Sequence, residues 1–214
     1  MPDPADDKAT ARSRFVNNRR ALDHTERTRQ SRAACARLLD TPRLSSADTV
    51  AAYWPLGTEP DTRPLLDALL ARGARLLLPV LLDDRDLDWA LYAGADTEFV
   101  AGGAGTSHPA SLVLGVTAVL QADVLIVPAL AVTEQGVRLG RGGGSYDRVL
   151  ERIGHAQTVH PWTCALLYEH ELGTLSPSAV EAHDEPVDAA CTATHLAEFG
   201  PASHPQGATR DRRG

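Results

Sequence analysis

"ADVLIVPALAV" (residues 122–132) and, four residues on, "VRLGRGGGSYDRVLERIG" (137–154) decide how this chain folds. The first stretch is a nearly unbroken apolar run, as a strand covered on both faces requires. The second sets five glycines and four arginines around one Tyr–Asp pair and then begins a helix over 145–153. A strand that hands over to a helix through glycines is the junction at which open α/β sheets bind ligands. Backbone N–H groups freed by glycine to point inward, joined to the start of a helix, make an anion cradle. Arg138 and Arg141 can add charge, and Arg148 lies one turn into the helix. Asp147 repels an anion unless a cation stands between them. Mg²⁺ is the natural mediator, because it takes one or two carboxylates together with waters and phosphate oxygens. A nucleotide phosphate with Mg²⁺ fits this combination. Two familiar phosphate motifs do not: no lysine follows the glycines, and a GxGxxG run from Gly140 fails at Ser145.

Working outward, residues 8–39 are rich in Arg and Ala without Gly or Pro and read as helical. A break is expected at Leu22–His24, where Asp23 followed by Glu26 resembles a capping box, and Pro42 ends the segment. Lys8 and Arg12, four apart, share one face of the first helix. "TVAAYW" (49–54) and "RLLLPV" (75–80) read as strands flanking a helix over 61–72 that Gly73 closes. This βαβ rhythm predicts a mostly parallel sheet with helices on its faces. Residues 86–92 read as a further strand or edge hairpin, 101–111 as a loop, 163–169 as a strand and 186–193 as the last strand. Trp54, Trp89 and Trp162 are expected to pack in the core or at an edge rather than stack on a ligand.

With 214 residues, 43% hydrophobic and 23% charged, the chain has the composition of a globular protein with a sizeable core. A single domain is expected over 1–199, followed by a disordered tail over 200–214. No run of about 18 apolar residues is present, so no membrane span is expected. A net charge of −7 argues against nucleic acid as partner, although a local arginine cluster can still hold a small anion. Cys35, Cys164 and Cys191 are odd in number and far apart. They fit reduced structural thiols, and with the lack of an apolar signal core they predict a cytoplasmic protein.

"RLGRGGGSYDRVL" (138–150) resembles the signature of the 5-formyltetrahydrofolate cyclo-ligase family, the 5,10-methenyltetrahydrofolate synthetases. "RRALDHTERTRQSR" (19–32) is similar to the family's N-terminal helix pair, and "YWPLGTEPDTRPLL" (53–66) to its first strand and substrate loop. "RLLLPV", "ADVLIVPALAV" and "HDEPVDA" (183–189) follow in the family's order, so the resemblance covers about residues 8–193. It implies a three-layer α/β/α fold with a mostly parallel central sheet. It also implies an enzyme that uses ATP and Mg²⁺ to convert 5-formyltetrahydrofolate, with or without a polyglutamate tail, to 5,10-methenyltetrahydrofolate. ADP and phosphate are released by way of a phosphorylated formyl oxygen. A monomer is expected.

The resemblance also implies roles. Lys8, Arg12 and Arg138 would contact ATP, as would Gly140, Arg141, Gly142, Gly143, Gly144, Ser145, Tyr146 and Asp147. Asp147 and Asp184 would hold magnesium. Leu56 and Glu59 would bind the pterin, the carboxylate accepting from ring N–H donors. Tyr146 would border the reacting formyl group, and Arg141 and Tyr146 are the catalytic candidates. The family often has two tyrosines after the glycines, where this chain has Ser145 before Tyr146, and a glutamate where it has His108. Two other readings compete: a non-catalytic folate or nucleotide binder, and an ATP-independent isomerase or coenzyme A transferase on a similar scaffold.

Overall fold

The computed structural model describes residues 7–156, 160–176, 179–181 and 184–200. From residue 201 onward, the expected tail lies outside them. Two helices open the chain, α1 (Lys8–Ala21) and α2 (His24–Leu39). Asp7 caps the first, its side chain accepting from the Thr10 N–H at 2.8 Å, and Asp23 caps the second through the Glu26 N–H at 2.7 Å. Only half of the expected capping box forms: the Glu26 carboxylate accepts from Arg29 and Gln30 instead. Pro42 does not merely stop the helix. It opens a short helix, α3 (Pro42–Ser45), behind a Thr41 cap, because a first-turn proline loses no helical hydrogen bond.

A seven-stranded sheet follows. Its members are β1 (Thr49–Ala51), β2 (Arg75–Leu81), β3 (Leu87–Tyr92), β6 (Val124–Pro128), β9 (Trp162–Leu166), β10 (Ala189–Cys191) and β11 (Leu196–Glu198), in the order β11-β10-β9-β6-β1-β2-β3. The five central strands are parallel, while β3 and β11 run antiparallel at the two edges. Two smaller ribbons pair β4 (Phe99–Ala101) with β5 (Ser107–Pro109) and β7 (Ala131–Val132) with β8 (Arg138–Leu139).

Burial alternates along the strands as the pleat demands. Val50, Leu76, Leu78, Val124, Ile126, Cys164 and Cys191 pack with Ala34, Cys35 and Leu38 of α2 and with Leu65, Leu66 and Leu69 of α4 (Arg63–Ala71). Their neighbours Ala51, Leu77, Leu125, Val127, Ala165 and Ala190 face Val149, Leu150 and Ile153 of α5 (Ser145–Gly154) on the opposite side. Helices therefore cover both faces, giving the expected α/β/α layering. All three cysteines are buried, and desolvation pushes the Cys35 and Cys191 thiols up to about 12.

Several sequence boundaries shift. The run 122–132 is two elements, because the chain leaves the sheet after Pro128. The Leu130 N–H then bonds to the Leu139 carbonyl at 2.7 Å, and the β7–β8 ribbon takes over. The 101–111 loop contains most of the β4–β5 hairpin, and 186–193 is not the last strand, since β11 closes the edge.

A third apolar cluster joins Ala11 and Phe15 of α1 to Leu130, Ala131 and Leu139 of the β7–β8 ribbon, with Leu175 and Ala179. Beside it Arg19, one helical turn beyond Phe15, is 2% exposed. Its guanidinium donates to Glu171 at 2.6 and 2.9 Å and also to the Ala129 carbonyl just past β6. Glu171 is fully buried and also accepts from the Tyr168 N–H at 3.0 Å. Removing one partner of such a pair leaves an uncompensated buried charge, so Glu171→Ala is expected to lower unfolding free energy by about 3–5 kcal/mol. Urea denaturation checks this, with Glu171→Gln expected to lose less.

Candidate active site

Strand order decides where the site forms. From β1 the chain moves to β2 and β3 on one side, then returns to β6 on the other side of β1. The crevice beyond the carboxyl ends of β1 and β6 is therefore the topological switch point. The segment after β1 supplies Tyr53, Trp54, Leu56 and Glu59, the end of β6 supplies Pro128, and the segment after it supplies Ala129, Arg138 and the run Gly140–Asp147. Together they line a cavity of about 310 Å³.

Its walls are mostly apolar: Trp54, Leu56, Pro79, Leu81 and Leu87, with Thr106 and Ser107 from the β4–β5 hairpin at one side. Trp54 also contacts Phe99 and Tyr92, with ring centroids 4.4 and 5.8 Å away. The tryptophans thus divide. Trp89 and Trp162 are core residues, whereas Trp54 packs on the core and also walls the cavity.

Glu59 projects into this apolar space with its side chain only 8% exposed. One oxygen accepts from the Leu56 N–H at 2.8 Å, and the other lies 3.4 Å from Nη1 of the half-exposed Arg141. Burial raises the carboxyl above its ordinary range, against the pull of the Leu56 N–H, Arg141 and Arg19. The Tyr146 hydroxyl is buried without a hydrogen-bond partner, and its ring lies 5.8 Å from the Arg138 guanidinium. Burial likewise pushes that phenol up. Two polar groups with unmet bonding capacity in an apolar cavity suit a ligand that is largely flat and apolar with a few polar edges.

The other side of the glycine segment is polar. A second cleft is lined by Asp7, Lys8, Arg12, Glu181 and Asp184. Arg138, Gly140, Gly142, Gly144 and Asp147 line both spaces, so the glycine turn is their shared wall. Gly142 and Gly144 have φ of +93° and +76°, in the left-handed region that favours glycine. A Cβ on Gly142 would also sit 3.4 Å from the Arg12 Cζ, and one on Gly140 would come within 2.8 Å of Arg138 Nη1. The Arg12 Nε donates to the Gly140 carbonyl at 3.0 Å. Gly144 caps α5 without a side-chain hydrogen bond, which leaves the first-turn N–H groups of the helix open for an anion.

Two of the cleft's cations, Lys8 and Arg138, are paired with its carboxylates. Lys8 Nζ donates to Asp184 and to Glu181, each at 2.7 Å. Burial pulls its pKa down, but these hydrogen bonds outweigh burial and leave it raised. Arg138, with its side chain 3% exposed, donates through Nη2 to Asp147 at 2.6 Å, while its Nε is buried without a partner. Burial draws Arg138 down, with Asp147 opposing.

Each residue to which the resemblance gave a role has a place in this frame, whereas Arg148 and His108 line neither space and His183 of the "HDEPVDA" stretch lies outside the described residues. Lys8, Arg12, Arg138, Asp147 and Asp184 gather at the polar cleft; Leu56, Glu59, Arg141, Ser145 and Tyr146 gather at the apolar cavity; Gly140–Gly144 lies between. Arg19 and Glu181 were not singled out. Arg19 had a signal, since it continues the buried i, i+4 stripe Ala11–Phe15. Glu181 had none. The resident metal of the resemblance finds two carboxylates that fit it, Asp147 and Asp184. They line the cleft that holds the phosphate-type donors, although no group of three or more ligating side chains occurs among the described residues.

The sequence model of the 5-formyltetrahydrofolate cyclo-ligase family matches residues 4–193. The chain belongs to this family. A 5-formyltetrahydrofolate cyclo-ligase of Mycolicibacterium smegmatis is 37% identical over 182 residues, covering 83% of this chain and 89% of the relative. One from Escherichia coli K12 is 32% identical over 183 residues, covering 85% and 97%. The solved structure of Aquifex aeolicus 5,10-methenyltetrahydrofolate synthetase superposes with a TM-score of 0.75 at 24% identity, covering 95% of this chain and 98% of that one. A likeness at that identity speaks to the fold. As a member of the cyclo-ligase family the chain is an enzyme of the ligase class. Among the described residues no helix is long and apolar enough to cross a membrane.

The geometry sets a stability test. Because its folded pKa is raised, Glu59 favours the native state below the usual carboxyl range and costs stability as pH climbs from 4.5 through its folded value. Glu59→Gln is therefore expected to raise the thermal midpoint of the ligand-free protein at pH 7 but not at pH 4. Melting curves at the two pH values check this.

Proposed function

We propose that this cyclo-ligase family member converts 5-formyltetrahydrofolate to 5,10-methenyltetrahydrofolate with Mg²⁺-bound ATP, releasing ADP and phosphate. The observation that carries the reading is the shared wall. An apolar cavity with hydrogen-bonding groups and a polar cleft lined by both cations and carboxylates meet at one glycine turn, which two reacting ligands require. The names of the relatives supply the folate, and the cleft's chemistry supplies the phosphate donor.

The formyl group on N5 is an amide, whose oxygen is a poor leaving group. Transfer of the γ-phosphoryl group to that oxygen forms a P–O bond as the bond to ADP breaks. N10 then attacks the formyl carbon and loses its proton, and the C–O bond breaks to release phosphate as the ring closes. Phosphoryl transfer needs alignment and charge neutralisation more than covalent help. Lys8, Arg12, Arg138 and the open N–H groups of Gly140–Asp147 bind the phosphates. Asp147 and Asp184 hold Mg²⁺, which neutralises charge on the phosphate oxygens. Glu59 accepts from the pterin ring N–H groups, Leu56 and Trp54 wall the ring, and the unpartnered Tyr146 hydroxyl and Arg141 face the formyl oxygen. Ser145 adds a hydroxyl where relatives often place an aromatic ring.

Purified protein with ATP, Mg²⁺ and 5-formyltetrahydrofolate is expected to form the strongly absorbing methenyl product and ADP in equal amounts. Asp147→Ala should abolish turnover. Lys8→Ala should raise the KM for ATP by about 10- to 100-fold, the loss expected for one charge-assisted hydrogen bond. Turnover at full rate without ATP overturns the reading and favours the ATP-independent alternative; ligand binding without turnover favours the non-catalytic one. Full rate in Asp147→Ala removes the metal assignment alone.

A further inference from the structure

Counted over its described lining, the polar cleft holds three cations, Lys8, Arg12 and Arg138, against four carboxylates, Asp7, Asp147, Glu181 and Asp184. One negative charge remains, an odd balance for a pocket read as a triphosphate site. Asp7 is turned to its capping role on the Thr10 N–H. Asp147 and Asp184, the proposed metal ligands, are each held by a cation. Glu181 has no part in that machinery. Its carboxylate is half-exposed at the cleft's edge, yet it lies 2.7 Å from Lys8 Nζ, which also donates to Asp184 at 2.7 Å. Two hydrogen bonds hold Glu181 and Asp184 together: the Glu181 N–H donates to Asp184 Oδ2 at 2.8 Å, and the Asp184 N–H donates to the Glu181 carbonyl at 3.0 Å.

We propose that Glu181 is a specificity-determining residue that makes the site select metal-bound over metal-free nucleotide; this rests on the ATP reading above. Free triphosphate meets a cleft of net negative charge whose lysine is already held by two carboxylates. A divalent ion changes the balance twice. It reverses the sign of the cleft, and by taking Asp184 it releases one of the two anions on Lys8, so that the ammonium can turn to phosphate. Specificity here comes from a repulsive element set against the wrong ligand form. Without Glu181, Lys8 would answer to Asp184 alone, and metal-free triphosphate would compete for it on better terms.

The test is isothermal titration of the full chain with ATP, in excess Mg²⁺ and again in excess EDTA, for wild type and for E181Q. Glu181 is exposed enough that the substitution should not disturb folding, and a melting curve confirms it; E181A serves as the second variant. Wild type is expected to bind ATP far more tightly with Mg²⁺ than with EDTA. In E181Q the EDTA affinity should rise about two- to fivefold, the range of an exposed ion pair, while the Mg²⁺ affinity stays within twofold. The EDTA gain should shrink at high salt. An equal change in both conditions, or in neither, overturns the selective role of Glu181 and leaves the ATP reading standing. No ATP uptake by wild type in either condition overturns the ATP reading and this inference with it.

Discussion

The site depends first on one buried contact, the guanidinium of Arg19 bonded to Glu171 and to the Ala129 carbonyl. Its three partners belong to different parts of the chain: α1, the segment after β9, and the exit from β6. A helix carrying an arginine on its buried face can dock in few ways, because every other position leaves that charge without acceptors. The contact therefore fixes the rotation of α1. That rotation sets Lys8 and Arg12 over the glycine turn and stacks Ala11 and Phe15 on the β7–β8 ribbon. Packing alone would hold α1 weakly, since the ribbon offers it a small apolar cluster. The ion pair adds direction to that burial, and the cations of the cleft inherit their placement from it.

A second constraint comes from the sheet. Putting β1 between β2 and β6, both later in the chain, opens a crevice at the carboxyl ends of β1 and β6, and the two exits there are very different in character. After β1 the chain is aromatic and apolar with one carboxylate. After β6 it is glycine-rich and basic. The glycine turn then serves two sides at once. Without side chains at Gly140 and Gly142 it lets Arg138 and Arg12 approach the backbone closely, and it leaves main-chain N–H groups as the recognition elements on the polar side. A Cβ at Gly140 would displace the Arg138 guanidinium, and one at Gly142 would be strained by its left-handed φ.

Much of this was legible in the sequence, for physical reasons. Strands buried on both faces give continuous apolar runs, so the central strands stood out, and glycine with arginine at a strand–helix junction is a rare enough combination to mark the cradle. What was misread followed from forces that sequence patterns do not carry. The run 122–132 looks like one strand because apolar residues continue past Pro128, yet those residues serve the β7–β8 ribbon and α1 rather than the sheet. The short edge strand β11, three residues long, has too little pattern to show. Trp54 resembled a packing residue and is one, but its place beyond β1 also makes it a cavity wall. Arg19 was concealed by its type: arginine on a helix is ordinarily solvated, and only its phase with Ala11 and Phe15 betrays it.

On the proposed reading, Asp147 and Asp184 serve the site both before and after a ligand binds. A carboxylate that is to hold a metal must be partly desolvated, and a partly desolvated carboxylate without a partner is costly. The same holds for the cations that are to hold phosphate, most of all Arg138, which burial already draws down. Pairing each carboxylate with a cation meets both demands before any ligand arrives. On the proposed ATP reading, binding of a metal-bound triphosphate is an exchange of partners, carboxylate to metal and cation to phosphate. The apolar side is less paired: Glu59 has only the half-exposed Arg141 at 3.4 Å as an opposite charge, and the Tyr146 hydroxyl has no partner. The two halves of the site are thus prepared differently, one by charge pairing and the other by desolvation.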